Sequence, residues 1–459
     1  MNDDIIKINK DFSDLFKSGR TMLDEGCSAV VNSFRDEAFE QFINLGGVPS
    51  KSEDYKYSNL APIFLHDYFT MLKLPPLNVN MKEVFLCKVS DLNSTPVLMV
   101  NGWYHNECNV LEELNEDIVV SGMREASLKY PDIFAEHYNK YTGAAKNDAL
   151  IPLNTAFAQD GLFIYVPDNT VVDVPLQLIN ILNTDKDYMG FQRNLIVLGK
   201  NAKLHLLNCE HTLSHTSFLI NNTTEIVLGE NSHCDYYQIQ SQHSATNYIN
   251  SLFVEQKANS VFESNIITLF GGYIRNNLYV SLSEEGADAR LYGLYTLDKK
   301  QKVDNFIVVD HKVAHCTSDQ HYKGILDDMA VGNFTGAIYV RPNAQKTEAY
   351  QVNNNLLLTD TARMNAKPQL VIDADDVKCS HGATSGQIDD EALFYLRSRG
   401  IGMQEAKTML MFGFAHDIIQ KVKLEPLRKE IDSMIDKRLR NEYTRCENCV
   451  YSTNIRQNS

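Results

Sequence analysis

The chain has 459 residues, of which 44% are hydrophobic and 22% are charged, as is ordinary for a globular protein of roughly two to four domains. The formal charge of −16 argues against a general nucleic-acid binder and against a protein that binds anionic membranes. Nine cysteines spread along the chain fit reduced thiols in the cytoplasm better than a disulfide framework. Because no apolar run approaches the ~18 residues of a membrane span and the N-terminus shows no secretory segment, we expect a cytoplasmic protein.

The first region, residues 1–148, is helical or mixed in its pattern. Apolar residues at helical spacing predict a helix that ends at the pair Gly46-Gly47. Further along, the run VLMVNG predicts a strand followed by a tight turn at Asn101-Gly102.

Residues 149–388 lose this periodicity and show short apolar or alternating runs between Gly, Asn and Asp residues. LIVLGKNAKLHLL (195–207) and EIVLGENSHCDYY (225–237) share one pattern at an offset of 30 residues. Short strands that recur at such steps predict a mainly β solenoid, a parallel β-helix in which each coil stacks on the next. A β-sandwich or barrel is the alternative that strand pattern alone leaves open.

A small residue follows the turn in both copies of this repeat, at Ala202 and Ser232. Weaker repeats place Ala258, Ala287 and Ala314 in comparable settings. Small side chains suit a corner where successive coils crowd together, so we expect these residues to line one corner of the solenoid.

Helical periodicity returns in residues 389–441, with Asp389 as a candidate N-cap and Gly400 as the end of the first helix. A later helix carries an apolar stripe that suits either packing within the chain or docking of a partner. The stripe consists of Leu427, Ile431, Met434, Ile435 and Leu439. Residues 442–459 form a polar tail whose pair Cys446 and Cys449 is half of a zinc site, and we interpret this tail as unstructured.

The stretch DDVKCSHGATSGQ, residues 375–387, contains the strongest candidate site. Side chains at i and i+2 of a strand share a face, so Cys379 and His381 are expected to project side by side. Thiolate and imidazole are ligands of zinc and of iron–sulfur clusters, and together they can form an activated nucleophile. Two ligands do not define a metal site, and a buried cysteine beside a solvent-facing histidine is the alternative.

The segment VVDHKVAHCTSDQ offers a weaker metal candidate in His311, His315 and Cys316. On a strand the two histidines would share a face and the cysteine would point away, so we assign them to turn and surface chemistry. The chain has neither a Walker A loop nor a GxGxxG motif after a strand, which places any ATP hydrolysis in a partner.

The run DDVKCSHGATSGQIDDEALFYLRSRGI resembles the C-terminal signature of the SufB/SufD family, the paired scaffold subunits of iron–sulfur cluster assembly. The resemblance continues upstream in three blocks and spans about two-thirds of the chain. These blocks are LNTAFAQDGLFIYVPDN (153–169), LFGGYIRNNLYVSL (269–282) and GNFTGAIYVRPNAQKTEAYQVNNNLLL (332–358). The resemblance implies a right-handed parallel β-helix flanked by N-terminal and C-terminal helical regions, and it favours the solenoid over the sandwich.

Within this family the chain resembles SufD more than SufB. SKSEDYKYSNL is similar to a SufD element, with Tyr55 where tryptophan is usual and Ser58 where threonine is usual. VNGWYHNE at 100–107 resembles a second SufD element, and the run VNNNLLL lacks the cysteine that SufB usually carries before its final coils.

The resemblance implies a non-catalytic scaffold subunit of a SufBCD-type complex, which pairs with a SufB-like paralogue and docks a SufC-like ABC-type ATPase through its C-terminal helices. It implies that His381 acts in cluster assembly at the subunit interface and is the candidate iron ligand, with Cys379 as the weaker candidate. We expect no catalytic residue and no tightly bound cofactor in the isolated subunit, and a transient iron–sulfur cluster in the complex.

Two alternative functions stay open. A homomeric SufB/SufD-like scaffold would work as a homodimer without a distinct partner. A polysaccharide-active β-helix enzyme would use clustered carboxylates or calcium sites, but the adjacent acids Asp375 and Asp376 alternate faces on a strand, so we rank this enzyme last.

Overall fold

In the computed structural model, two sheets of mainly parallel strands face each other across a common interior and form a β-solenoid. The structure describes residues 2–49, 52–77, 91–105 and 114–442, together with positions 79 and 89. The predicted parallel β-helix with flanking helices is therefore confirmed. The tail pair Cys446 and Cys449 lies outside the described residues.

The strands of the two sheets alternate along the chain. In the described residues they are β1 (Thr95–Val100), β2 (Trp103–Tyr104), β3 (Val119–Gly122), β4 (Leu162–Val166), β5 (Leu176–Leu182), β6 (Tyr188–Leu198), β7 (Lys203–Thr212), β8 (Phe218–Leu228), β9 (His233–Ser241), β10 (Thr246–Gln256), β11 (Val261–Phe270), β12 (Tyr273–Leu282), β13 (Asp288–Leu297), β14 (Lys302–His311), β15 (Thr317–Leu326), β16 (Val331–Val340), β17 (Glu348–Leu357), β18 (Arg363–Ile372) and β19 (Lys378–Gly386). The odd sheet runs β19-β17-β15-β13-β11-β9-β7-β5-β1-β2, and the even sheet runs β18-β16-β14-β12-β10-β8-β6-β4-β3.

The helices lie before and after the main run of strands. They are α1 (Asn2–Asp24), α2 (Ala29–Ser33), α3 (Arg35–Asn44), α4 (Ala61–Phe64), α5 (Met123–Lys129), α6 (Pro131–His137), α7 (Leu150–Phe157), α8 (Asp390–Ser398), α9 (Met403–Ile419) and α10 (Glu425–Leu439). Asp389 caps α8 as predicted, because its side chain accepts hydrogen bonds from the backbone of Glu391 and Ala392. None of the described helices is both long and apolar enough to cross a bilayer.

The sequence repeat matches the stacking of the coils. Lys203 of β7 pairs with His233 of β9, and Ile196 of β6 pairs with Ile226 of β8, so the offset of 30 residues is one complete coil. The predicted turn at Asn101-Gly102 also forms, and it joins β1 to β2 as an antiparallel hairpin.

One corner of the solenoid is lined by the residue that precedes each odd strand from β7 to β19, and most of these residues are small. Moving along the coils, this column is Ala202, Ser232, Ser260, Ala287, Cys316, Thr347 and Val377. The prediction was right for Ala202, Ser232 and Ala287. It was wrong for Ala258 and Ala314, because Asn259 and His315, which have positive φ, separate them from the true corner residues Ser260 and Cys316.

The interior combines apolar side chains with a ladder of amides. One row of the even sheet places Gln192, Asn222, Asn250, Asn276 and Asn305 in register on successive coils. The Asn222 amide donates to Asn250 at 2.7 Å, and the Asn276 amide donates to Asn305 at 3.2 Å. Stacked amides of this kind satisfy one another, so polar residues are accommodated inside the coils.

Each sheet is covered on its outer face by helices. The N-terminal helices pack Phe12 and Phe157 against Phe191 of the even sheet. Helices α9 and α10 pack on the odd sheet, and the apolar stripe of α10 lies inside this contact. The stripe is therefore used for packing within the chain.

A short segment, residues 52–60, crosses the outer face of the even sheet and is called the strap below. Tyr55 is buried and donates to Asp148 at 2.7 Å, and its ring lies 3.8 Å from the guanidinium of Arg275. Ser58 hydrogen-bonds Asp304, and Glu53 reaches Lys367 of β18 at 2.5 Å. The strap thus connects the N-terminal helices to the last coil.

Candidate functional site at the open end of the solenoid

The two sheets end together at β18 and β19, and no further strand of the described chain pairs with either one. Interior coils are almost fully buried, whereas most residues of β18 and β19 are partly or fully exposed. Apolar side chains share this exposure, with Val371 42% and Ile372 41% accessible. Backbone edges and apolar groups are therefore both available to a partner at this open end.

Cys379 and His381 lie on β19, which the register places directly over β17. Cys379 pairs with Ala349 and His381 pairs with Gln351. Ala349 belongs to an interior cluster with Ile338, so the row that contains Cys379 and His381 faces the inside of the last coil. The two side chains share one face, and that face opens at the end of the solenoid.

The thiol of Cys379 is half-buried at the edge of this interior cluster. Burial raises its pKa above the ordinary cysteine value, while a hydrogen bond from the backbone of Ala349 acts in the opposite direction. A thiol with a raised pKa is mostly protonated near neutral pH and is a poor nucleophile or metal ligand.

The imidazole of His381 is exposed, and neither ring nitrogen has a hydrogen-bond partner within the described chain. A neutral imidazole in this position can offer a nitrogen lone pair to a metal or donate a proton to a neighbouring group. Of the two residues in the motif, His381 is the more accessible to a partner subunit.

The turn that leads into β19 is fixed by contacts with the preceding coil. The backbone N–H of Lys346 donates to the carbonyl of Asp376 at 2.6 Å, and the backbone N–H of Asp376 donates to Gln345 at 2.9 Å. The side chains of Lys346 and Asp376 also form an ion pair. These contacts fix where β19 begins relative to the coil beneath it.

The weaker metal candidate does not assemble. His311 is buried inside the solenoid and contacts Ser318 at 2.9 Å, so assigning it to the surface was wrong. His315 occupies an exposed turn with φ 59°, and Cys316 is the buried corner residue. Among the residues that the structure describes, no three His, Cys, Asp or Glu side chains are arranged to hold a metal ion.

Sequence reasoning missed the surface of α8. This helix has no buried residue, and it presents Phe394 at 75% and Tyr395 at 54% accessibility. Met403 and Met409 of α9 are also exposed. The adjacent aromatic pair on a short helix was the available signal, since neither residue belongs to a helical stripe that reaches the core.

Two family models together match most of the chain. The model described as the SufBD core domain of the SUF system for FeS cluster assembly matches residues 180–414, and the SufBD N-terminal region matches residues 6–178. The chain therefore belongs to the SufB/SufD family of iron–sulfur cluster assembly proteins.

Named relatives identify the branch within this family. The chain is 30% identical to the iron–sulfur cluster assembly protein SufD of Escherichia coli over 301 residues, which is 64% of this chain and 71% of the relative. It is 25% identical to SufD of Bacillus subtilis over 334 residues, which is 71% of this chain and 75% of the relative. An iron–sulfur cluster assembly SufBD family protein of Synechocystis is 27% identical over 387 residues, which is 82% of this chain and 84% of the relative. The chain is SufD-like.

Proposed function

We propose that this chain is a non-catalytic scaffold subunit that pairs with a SufB-like paralogue and docks a SufC-like ABC-type ATPase. The observation that carries the proposal is the open end of the solenoid, where two sheet edges, exposed apolar residues and His381 occur together. Natural proteins rarely leave such edges uncovered, because an unpaired strand is a template for another chain.

A paralogue with the same solenoid would cover this end by β-augmentation. Main-chain hydrogen bonds from the edges of β18 and β19 would supply affinity, and side chains such as Val371 would supply specificity. His381 would then be enclosed between the two subunits, where it acts as an iron ligand or proton donor during assembly of a transient cluster.

The ATPase is assigned to the other exposed feature, the surface of α8 and the start of α9. Phe394 and Tyr395 form a compact apolar patch on a helix that is not used for packing within the chain. Aromatic anchors of this type are typical of the centre of a protein interface.

Co-expression of the tagged chain with its SufB-like and SufC-like partners tests both contacts. We expect Val371→Arg to lose the paralogue and keep the ATPase, because a charge is then placed at the uncovered edge. Phe394→Glu should lose the ATPase and keep the paralogue. Phe69→Glu is the matched control, since Phe69 is 53% accessible and lies beside β6 on the N-terminal side.

Point variants are preferable to removal of the C-terminal helices. A chain cut after residue 388 would expose the outer face of the odd sheet that α9 and α10 cover. Recovery of a homodimer that binds the ATPase without a paralogue would replace the proposal by a homomeric scaffold. ATP hydrolysis by the purified chain alone would contradict the non-catalytic role.

A further inference from the structure

A column of three side chains runs through the interior of the last coils and ends at His381. Gln320 of β15, Gln351 of β17 and His381 of β19 occupy the same register position on successive coils. Both glutamines are completely buried, whereas His381 is exposed. His381 is therefore the terminal member of a row whose two preceding members are amides.

The orientation of the Gln351 amide is set by the coil beneath it. Its Nε2 donates to Oε1 of Gln320 at 2.9 Å. Donation toward one neighbouring coil turns the carbonyl oxygen of a stacked amide toward the opposite neighbour. Oε1 of Gln351 is thus directed toward the coil that contains His381.

This oxygen is an acceptor without a donor. Oε1 of Gln351 is buried and has no hydrogen-bond partner in the described chain. A buried acceptor left unpaired is unfavourable, so a donor in the next coil would be held by it. The facing position in that coil is His381, whose ring carries an N–H in either neutral tautomer.

The opposite sheet leaves space for this amide. Gly336 of β16 lies across the interior, and a methyl group at that position would overlap Nε2 of Gln351. The absence of a side chain at Gly336 therefore permits the amide to lie in the interior and to connect Gln320 with the last coil.

We infer that Gln351 is a positioning residue for His381. The imidazole and Oε1 of Gln351 each lack a hydrogen-bond partner in the described chain, and a turn of the exposed His381 side chain lets one imidazole N–H donate to that oxygen, which fixes the ring and its tautomer and directs the other nitrogen out of the open end. The idea that this nitrogen then serves cluster assembly rests on the proposed function. A hydrogen-bonded partner of this kind orders a metal-binding imidazole and increases its basicity.

Nuclear magnetic resonance of the full chain with ¹⁵N-labelled histidine tests the hydrogen bond directly. The His381 signals are identified by their loss in His381→Ala. A hydrogen-bonded imidazole N–H exchanges slowly enough to be observed, and we expect this resonance in the wild type and in Gln351→Glu. It should disappear in Gln351→Met, which keeps the volume of the side chain and removes the acceptor.

Gln240→Met is the matched control, because Gln240 is also a buried glutamine, donates to an interior amide, and lies four coils away from Gln351. It should leave the His381 resonance unchanged. Should Gln351→Met fail to fold, Gln320→Met removes the oxygen that holds Gln351 and should weaken the same resonance. An absent resonance in the wild type, or one that persists in Gln351→Met, would overturn the inference.

Iron and sulfide content of the assembled complex at limiting iron separates this inference from the proposed function. We expect roughly tenfold weaker iron retention in Gln351→Met, as for loss of other partners of metal-binding histidines, and no change in Gln240→Met. If the resonance behaves as expected but His381→Ala retains iron normally, the role of His381 in cluster assembly is contradicted, while its positioning by Gln351 stands. If His381→Ala loses iron but the wild type shows no such resonance, the positioning by Gln351 is contradicted, while the role of His381 stands.

Discussion

The middle coils of the solenoid and its last coil have the same backbone arrangement but different exposure. In the middle, strands such as β8 are buried along their entire length, and interior amides are paired with amides of the next coil. In the last coil an interior row of the odd sheet, which contains Gln320 and Gln351, ends at His381 with no coil above it. A repeating fold can therefore use one set of positions for stability where the coils are stacked and for recognition where stacking stops.

The largest expected loss of stability comes from breaking a buried ion pair in the middle coils. Arg193 and Glu225 are 2.6 Å apart and both inaccessible to solvent. Arg193→Met should lower the free energy of unfolding by about 3–5 kcal/mol, because it leaves a buried carboxylate without its cation. Urea denaturation monitored by circular dichroism measures the loss. A double variant with Glu225→Leu should recover part of it, and no recovery would show that the uncompensated charge is not the cause.

A second prediction concerns pH and the buried carboxyl group of Glu210. Burial raises its pKa from 4.5 to about 7, although hydrogen bonds from Tyr248, Gln238 and Asn208 act in the opposite direction. As pH rises above 4.5 the unfolded chain releases this proton first, so the free energy of unfolding falls until about pH 7 and is then constant. At about 1.4 kcal/mol per pKa unit, this contribution amounts to about 3 kcal/mol.

Glu210→Gln should remove this part of the pH dependence, and the measurement is denaturation at intervals from pH 4.5 to 8. Glu230→Gln provides the control, because Glu230 is an exposed glutamate in a turn and pairs with Lys200. If both variants keep the slope of the wild type, the carboxyl group of Glu210 is not its origin.

Substitutions in the corner column are expected to change stability by an intermediate amount. Ala287 is fully buried in the middle of the column, whereas Val377 at the open end is only half-buried. Ala287→Val should lower stability by about 1–3 kcal/mol through overpacking. Val377→Ala should lower it by about 1 kcal/mol or less, since part of the side chain is already in solvent. Equal losses in thermal or urea denaturation would mean that the corner is as tight at the end as in the middle.

The smallest effect on stability is expected at the candidate site itself. His381→Ala should change the free energy of unfolding by less than about 0.5 kcal/mol, because an exposed imidazole contributes little packing and water can replace it as the donor to Oε1 of Gln351. The same variant should impair cluster formation on the assembled complex, measured as iron and sulfide content beside the wild type. Cys379→Ala should have the smaller effect on cluster content. Full reconstitution with His381→Ala but not with Cys379→Ala would reverse the two roles.

Strand alternation and the 30-residue repeat indicated the solenoid, since both record the same coil-by-coil stacking, and the family resemblance favoured it over a sandwich. The positions of the turns at Asn101-Gly102 and Gly400 followed from backbone preferences that only a few residue types satisfy. These features depend on residues close together in sequence, which is why the sequence alone indicated them.

The rest depended on contacts between distant segments. Nothing local distinguishes Gln351, with its unpaired oxygen, from Gln240, whose oxygen accepts from Thr268. Burial of His311 and exposure of Phe394 likewise depend on which coil or helix lies next to them. Sequence pattern could place Cys379 and His381 on one face, but only the stacking register placed Gln351 beneath His381.

The strap has a consequence for the order in which the chain folds during synthesis. Each coil meets its neighbour after about 30 residues, but Ser58 lies 246 residues from Asp304 and Glu53 lies 314 residues from Lys367. At about 5–20 residues per second, the ribosome delivers Lys367 roughly 15–60 s after Glu53. We predict that Tyr55 stays accessible to protease in stalled chains that end before β12 and becomes protected in longer ones; protection in the shorter chains would contradict this. An N-terminal segment made in the first seconds thus docks only after the middle coils that carry Arg275 and Asp304 have been made, and only its contact from Glu53 to Lys367 marks a nascent chain that has reached the final coil.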